Sequence, residues 1–234
     1  MTAHIVVVVL AVVFTNLGLW QLRRLDERQL ENSVAASRYE APPTPLEELL
    51  AGAGSDFDSL EYRRATVGGT FDVSAEVLMR NQVFRDQAGF HVVTPLILED
   101  GDAVLVNRGW VPLLMDEPGD ESAAPDPTAT TLTGWISLNQ ERPPLGAEEP
   151  EDGVLSIMNR VDISRIAQQV SYDVKPVYLV MEGERSGETL PVALAAPELT
   201  DEGSHLAYAI QWFGFTIVGL VGYIALLRKN LSRG

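Results

Sequence analysis

Three histidines are the side chains best suited to chemistry in this chain of 234 residues, which contains no cysteine. The lack of cysteine excludes disulfides, thiol catalysis, cysteine-bound zinc and iron–sulfur clusters. His205 has the most informative neighbours, because Tyr208 and Trp212 follow it at helical spacing and would share one helix face with it. Such a face presents an imidazole, a phenol and an indole beside an apolar run.

Two interpretations of this face remain open. In the first it is a haem site, because haem takes a histidine as axial ligand, an apolar slot for its ring and a cation for its propionates. Arg23 or Arg24 would supply that cation from a similar depth on another helix. In the second it is an aromatic belt at a membrane surface, which Tyr208, Trp212 and Trp20 would form without any ligand. The histidine would then be only a polar cap.

The other two histidines are expected to serve structure. His4 begins an apolar run, and His91 lies between Phe90 and Val92 in a segment that alternates like a strand. The chain has no nucleophile elbow, zinc-binding helix motif, phosphate-binding loop or dinucleotide-binding glycine pattern. Its many Asp and Glu pairs are typical of solvated surface, so we do not predict an enzyme.

Two uncharged apolar runs must position the residues of the candidate site. They cover residues 3–22 and 206–227, which is 20 and 22 residues. At about 1.5 Å per residue in a helix, each run is long enough to cross a hydrocarbon core of roughly 30 Å. We therefore predict two transmembrane helices and the lipid bilayer as a partner.

Cations beside these runs predict the topology. Arg228, Lys229 and Arg233 follow the second run without any acidic residue, so the positive-inside rule places the C-terminus in the cytoplasm. Two crossings place the N-terminus there too and the central residues outside. The first run lacks the basic start and the small-residue cleavage site of a signal peptide, so we expect an uncleaved anchor. Without a transit segment, a bacterial plasma membrane is the expected location.

The resulting domain plan has four parts. Residues 3–25 form the first transmembrane helix, 26–205 an extracytoplasmic β-rich domain, 206–227 the second transmembrane helix and 228–234 a basic cytoplasmic tail. All 33 acidic residues and 12 of the 17 basic ones lie between residues 26 and 202. The domain therefore offers no cluster of cations for phosphates, which excludes nucleic acid as a partner.

Period-2 alternation dominates the central domain and predicts strands. The segments are 64–71, 77–82, 91–98, 103–111, 131–138, 155–161 and 176–181. Asp100-Gly101 between two apolar strands predicts a tight hairpin. Thr44-Pro45-Leu46-Glu47 has the spacing of a capping box, and Asp162 would cap a helix over 162–170. The acidic segments 116–126 and 143–152 are expected to be solvated loops.

These patterns define the predicted fold class. We expect an α+β membrane protein whose N- and C-terminal transmembrane helices enclose one antiparallel β-rich domain, a small barrel or sandwich. The first helix should run on past its apolar part and stop at Pro42-Pro43.

Four segments resemble motifs of the Surfeit locus protein one (SURF-one, Shy-one) family, and they occur in the family's order over nearly the whole chain. They are Gly18-Leu19-Trp20-Gln21-Leu22-Arg23-Arg24, which is similar to a Gly-x-Trp-Gln-x-x-Arg motif; Tyr62-Arg63-Arg64 with Gly69-Thr70-Phe71; residues 89–95 with Val106-Asn107-Arg108-Gly109-Trp110-Val111-Pro112; and His205-Leu206-Ala207-Tyr208 with Gln211-Trp212. The chain departs from the family at Glu27-Arg28, where Trp-Lys is common.

The resemblance implies an assembly factor of haem–copper cytochrome c oxidase that acts in maturation of the haem-bearing catalytic subunit. In some bacterial members haem A binding is attributed to the histidine that matches His205. The implied cofactor is haem A, bound transiently, with His205 as the axial ligand of the haem iron. Tyr208, Trp212, Trp20 and Arg24 are further candidates for the same pocket. The expected protein partners are the catalytic subunit of the oxidase and haem A synthase.

Two other functions remain open. One is a cofactor-free structural adaptor of the oxidase assembly complex, which would use the face of the second helix formed by Gly214, Gly219 and Gly222. The other is an extracytoplasmic, membrane-bound hydrolase that uses a carboxylate pair.

The Asn-Arg-Gly-Trp segment also has two interpretations. Arg108 and Trp110 would share one face of a strand, where a Trp ring commonly stacks on an Arg side chain. We favour this structural role over a patch that docks a partner.

Overall fold

The structure follows the helical and period-2 patterns of the sequence over most of the chain. A computed structural model describes residues 2–126, 131–140, 149–150, 152–183, 185–200 and 203–232. Most of the predicted loop over 143–152, and the tail cation Arg233, lie outside the described residues. The chain divides into a helical unit, residues 1–34 and 198–234, and a sheet unit, residues 35–197.

Four α-helices and nine strands make up the described fold. The helices are α1 (Thr2–Glu40), α2 (Leu46–Ala53), α3 (Ile163–Ala167) and α4 (His205–Leu231). The strands are β1 (Thr44–Pro45), β2 (Arg64–Gly68), β3 (Thr70–Phe71), β4 (Val77–Phe84), β5 (Gln87–Ile97), β6 (Ala103–Pro112), β7 (Thr131–Leu138), β8 (Ile157–Met158) and β9 (Val174–Met181).

Helices α1 and α4 are long and apolar enough to cross a membrane. Their most apolar windows of 18 residues have mean hydropathies of 2.2 and 1.8. Apolar side chains such as Val6 and Ile210 are exposed along them, as on helices that face lipid. As expected, α1 continues beyond its apolar part and ends at Glu40, just before Pro42-Pro43. The chain thus has two candidate membrane spans, one near each end.

The sheet unit is built on one mixed sheet. Its strand order is β1-β2-β7-β9-β6-β5-β4-β8, and β3 pairs with β5. Five pairs are antiparallel, but β1–β2, β4–β8 and β6–β9 are parallel. The prediction of a purely antiparallel sheet is therefore wrong. Alternation shows which face of a strand is buried and carries no information on its direction, so β9 could not be placed between β6 and β7.

Both faces of the sheet are covered, which explains why β6 is buried at every residue from Ala103 to Val111. Val104 and Val106 lie in one apolar cluster with Leu46 of α2. Leu105, on the opposite face, lies in a second cluster with Ile166 of α3. Strand β6 thus lies between two helix-covered layers. In the described part of the chain β1 and β8 end the strand order, so the pairing does not close into a barrel.

The sequence predicted local structure most reliably where a single side chain or a single turn determines it. The Asp100-Gly101 hairpin is confirmed, with Gly101 at a φ of 89° and the Leu98 amide 2.8 Å from the Asp102 carbonyl oxygen. Asp162 caps α3 as predicted, because its carboxylate accepts from the Arg165 amide at 3.0 Å. A two-residue turn at Arg85-Asp86, with φ of 47° and 63°, was missed between β4 and β5.

Two further predictions about local structure are corrected. Thr44 does not cap α2: the N-cap residue is Pro45, and Thr44 pairs with Ala65 in a short parallel ladder. The segment 155–161 contributes only the two residues of β8 as strand. In both places pairing with a distant strand decides the structure, and the local pattern does not.

Candidate functional site

His205 is the first residue of α4, and its ring contacts α1 within the helical unit. The Nδ1 atom lies 2.8 Å from Oε1 of Gln21, a residue that is 9% exposed. An amide oxygen only accepts hydrogen bonds, so Nδ1 is the donor, and in the neutral form of the ring the lone pair is on Nε2. This is the tautomer in which a histidine binds a metal through Nε2 while its other nitrogen is held by a carbonyl oxygen.

A close approach of α1 and α4 supports this contact. Gly18 lies one turn before Gln21, and a Cβ at Gly18 would come within 2.6 Å of the Phe213 ring. Phe14 packs against Trp212, with ring centroids 5.5 Å apart. Packing of these side chains therefore holds the two helices together.

The opposite ends of the same helices are also linked. The Tyr223 hydroxyl hydrogen-bonds to Nδ1 of His4, and the two rings meet edge to face with centroids 5.6 Å apart. This contact gives His4 a structural role. In the described part of the two helices, the polar contacts of His4 and His205 thus lie on either side of aromatic packing.

Three of the other residues predicted for the pocket, Trp20, Arg24 and Tyr208, are described by their exposure and their own contacts. Trp20 and Tyr208 are each 48% exposed. Arg24 pairs with Glu27 along α1 at 2.7 Å. Among the contacts of the described residues, none joins Trp20, Arg24 or Tyr208 to the imidazole of His205. The exposure of the two aromatic side chains suits a belt at a membrane surface.

Gln21 was not singled out from the sequence, although it belongs to the Gly-x-Trp-Gln segment. It lies 184 positions from His205 in the chain. Periodicity assigns a residue to a face of its own helix and does not indicate which residue of another helix meets that face. The available signals were its place in that family motif and the presence of a Gln within an apolar run.

Arg108 lies within the core of the sheet unit. Its Nη2 atom is 2.7 Å from Oε2 of Glu76, Nε donates to the Thr94 hydroxyl at 2.9 Å, and Nη1 donates to the Ala123 carbonyl at 2.7 Å. Burial lowers the pKa of the Arg108 guanidinium, and the Glu76 carboxylate opposes that shift. These contacts support a structural role for Arg108.

The expected stack of Arg108 on Trp110 is not formed. Arg108 lies over Phe71, 5.6 Å from its ring centroid, and Trp110 packs against Phe84 with centroids 5.4 Å apart. The reason is a β-bulge: Asn107 pairs with Val93 and the next paired residue, Gly109, with Val92, so Arg108 is an extra residue. The bulge breaks the alternation on which the prediction rested.

His91 is a largely buried histidine on β5. Its Nδ1 lies 3.4 Å from the amide nitrogen of Asn107, whose oxygen accepts from the Gly109 amide at 3.1 Å. Burial lowers the pKa of His91 to about 4, so the ring is neutral at neutral pH. Asn107 thus joins the histidine to the bulge, in keeping with a structural role.

Two observations bear on metal and hydrolase chemistry. In the described ranges no group of three or more His, Asp or Glu side chains is arranged to hold a metal ion. Glu76, a buried carboxylate, is occupied by Arg108 and by the Gly119 amide at 2.8 Å. The imidazole of His205 is therefore the group that we take as the candidate site.

The fold and the site define a chain with two candidate membrane helices, a mixed sheet between them and a histidine at the start of the second helix. The sequence profile of the SURF1 family matches residues 8–217, so the chain belongs to the SURF1 family. It is 28% identical to an uncharacterized SURF1-like protein of Mycobacterium tuberculosis, over 94% of this chain and 80% of that one.

Two further relatives are similar over most of the chain. A SURF1-like protein of Rickettsia felis is 24% identical over 99% of this chain and the whole of its own length. The human Surfeit locus protein 1 is 27% identical over 90% of this chain and 73% of that protein. The likeness covers the candidate spans and the sheet unit together.

Proposed function

We propose that this protein is a membrane-anchored, non-enzymatic assembly factor of haem–copper cytochrome c oxidase. It holds haem A transiently at the outer face of a bacterial plasma membrane and assists its delivery to the catalytic subunit. The sheet unit docks on that subunit, and haem A synthase is the donor of the haem. Membership of the SURF1 family supports the assembly role, since the family resemblance implies it.

The observation that carries the haem proposal is the 2.8 Å contact between His205 and Gln21. It holds Nδ1 as a donor and leaves the Nε2 lone pair for a ligand, which is the chemistry that an axial ligand of haem requires. Apolar side chains are exposed along both α1 and α4. Haem A is cargo in this proposal, and the chain's own contribution is to capture, orient and release it.

Release sets a limit on how tightly the cargo is held. A carrier has to bind well enough to capture haem and weakly enough to pass it on. One axial histidine suits this better than two, because the opposite axial position stays exchangeable. Of the other histidines, His91 faces Asn107 in the sheet unit and His4 bonds to Tyr223.

The membrane placement follows from charge and length. We propose that α1 and α4 both span the bilayer, with the termini in the cytoplasm and the sheet unit outside. A tag at the C-terminus that is modified only in the cytoplasm should be modified. An unmodified tag in intact cells would overturn this topology.

A haem titration tests the carrier. Detergent-purified natural protein and His205→Ala are titrated with ferric haem A and followed by visible absorption. The natural chain should give a Soret shift that saturates near one haem per chain, and the variant should lose most of it. His91→Ala is the matched control, because it removes a histidine from the sheet unit. Equal, non-saturating uptake by the natural chain and His205→Ala would reject the carrier.

A cofactor-free adaptor is the second candidate, and one observation favours it. A Cβ added at Gly214, Gly219 or Gly222 would meet nothing within 4 Å, so this face of α4 is open to another helix. The adaptor predicts that His205→Ala leaves oxidase assembly intact and that Gly219→Leu lowers it. The carrier predicts that His205→Ala lowers assembly more than Gly219→Leu does. The amount of assembled oxidase in the two variant strains therefore distinguishes the two functions.

A further inference from the structure

We propose that Gln21 and Gly203 are positioning residues for His205: Gln21 fixes the tautomer and rotation of the ring, and Gly203 keeps the Nε2 side of it open. The inference rests on the proposed function, because it concerns how the chain presents its haem ligand. Neither residue is required to touch the cargo. Together they determine which ring nitrogen is available and in which direction it points.

The role of Gln21 follows from its burial and its single acceptor contact. The side chain is 9% exposed, and its Oε1 accepts from His205 Nδ1 at 2.8 Å. Leaving a buried amide oxygen without a hydrogen-bond donor destabilises the fold, so the contact holds both side chains in place. A hydrogen bond from the second ring nitrogen to a carbonyl orients a ligating histidine and makes it a better electron donor.

The role of Gly203 follows from the space beside the ring. Gly203 has a φ of +67°, and a Cβ placed there would lie 3.4 Å from Cδ2 and 3.5 Å from Nε2 of His205. Any group that coordinates Nε2 must enter the space next to that atom. A methyl group at position 203 would narrow this space from one side. Among the described residues, one edge of the ring is thus held by the Gln21 amide, and the other adjoins a residue without a side chain.

Substitutions of Gln21 test the first half of the proposal by equilibrium titration with ferric haem A. Gln21→Leu should weaken haem binding by about 10- to 100-fold, the usual effect of losing the partner of a ligating histidine. Gln21→Glu keeps an acceptor oxygen and should retain binding. Its carboxylate should also shift the midpoint potential of the bound haem downward, which a merely structural contact would not do. Gln211→Leu, which removes an exposed amide from α4, is the control.

A pair of glycine substitutions tests the second half. Gly203→Ala should weaken haem A binding several-fold. Gly54→Ala introduces the same methyl at a φ of +62° but meets nothing within 4 Å, so it should affect stability alone. Near-UV circular dichroism of each variant checks that it is folded, and Gln21→Glu keeps the test decisive if Gln21→Leu does not fold.

The outcomes separate the inference from the function on which it rests. Natural binding in both Gln21→Leu and Gly203→Ala would overturn the positioning roles and leave the carrier intact. Weakening by Gln211→Leu equal to that of Gln21→Leu would overturn them as well, since the effect would then be general. If the natural chain gives no saturable binding of haem A, the proposed function fails and this inference fails with it.

Discussion

Glu76 and Arg108 form an ion pair inside the sheet unit, with Oε2 and Nη2 2.7 Å apart and each side chain 3% exposed. Further hydrogen bonds are made by both groups: Glu76 accepts from Thr94 and from the Gly119 amide, and Arg108 donates to the Ala123 carbonyl. A buried ion pair persists only when such further hydrogen bonds offset the loss of water. The pair and its hydrogen bonds therefore join the residue before β4, strands β5 and β6, and the segment over 119–123.

Breaking this pair on one side should be severe. Arg108→Met leaves the Glu76 carboxylate buried without its cation, which costs about 3–5 kcal/mol of unfolding free energy. Glu76→Leu with Arg108→Met removes both charges and should recover most of that loss. Urea denaturation of the detergent-purified protein measures both. A double variant no more stable than Arg108→Met would contradict the assigned pairing.

His91 should make stability depend on pH in one direction. Its pKa is about 6.5 when exposed and about 4 in the fold, because burial penalises the charged ring. Between these values the unfolded chain binds a proton that the folded chain does not. The contribution of His91 to the free energy of unfolding is therefore fully present above pH 6.5. It is lost as the pH drops toward 4, by about 3 kcal/mol at most.

A variant isolates this contribution from the many carboxylates that titrate in the same range. His91→Gln removes the titrating ring, so its stability should fall less steeply than that of the natural chain between pH 6.5 and 4. Urea midpoints at half-unit steps of pH give the two curves. Parallel curves would show that His91 is not buried as the structure has it.

The contact of Gly18 with Phe213 should be sensitive to one methyl group. Gly18→Ala places a Cβ 2.6 Å from the ring and should cost about 1–3 kcal/mol by overpacking. For a chain of this length that is roughly 2–4 °C in melting temperature per kcal/mol. In a Phe213→Ala background the same change should be nearly neutral. Equal losses in the two backgrounds would argue against this packing.

The two candidate helix caps should behave differently. Asp162→Ala removes an acceptor for the Arg165 amide and should cost about 1 kcal/mol. Thr44→Ala should lower the free energy of unfolding by only a few tenths of a kcal/mol, because Thr44 caps no helix. Its hydroxyl donates to the Pro42 carbonyl at 3.4 Å. Melting of the two variants side by side decides the point. A cost at Thr44 equal to that at Asp162 would restore the capping box.

Sequence patterns placed those parts of the fold that depend on near neighbours. Strand β7 has its expected bounds, Thr131–Leu138, and α1 stops where Pro42 requires it. The bulge at Arg108 and the insertion of β9 between β6 and β7 were not predictable. Both depend on partners far along the chain, and alternation carries no information on pairing or direction.

The candidate site was predictable in part for the same reason. His205 stood out because Tyr208 and Trp212 follow it at helical spacing and would share one helix face with it. Its partner Gln21 did not, since nothing in a single sequence couples two residues on separate helices. The family motif at 18–24 contains this residue. The structure gives a physical reason for two residues of the motif: Gly18 leaves room for the Phe213 ring, and Gln21 accepts a hydrogen bond from His205.

The separation of Gln21 and His205 has a consequence for biosynthesis. They are 184 positions apart, so the first helix leaves the ribosome long before its partner exists. During that interval Gln21 lacks its hydrogen-bond partner, and the sheet unit can fold before His205 has been synthesised. The histidine is presented in its final orientation only in a completed chain with both helices paired. Under the proposed function, unfinished chains would thus be unable to capture haem, and only completed chains would carry it.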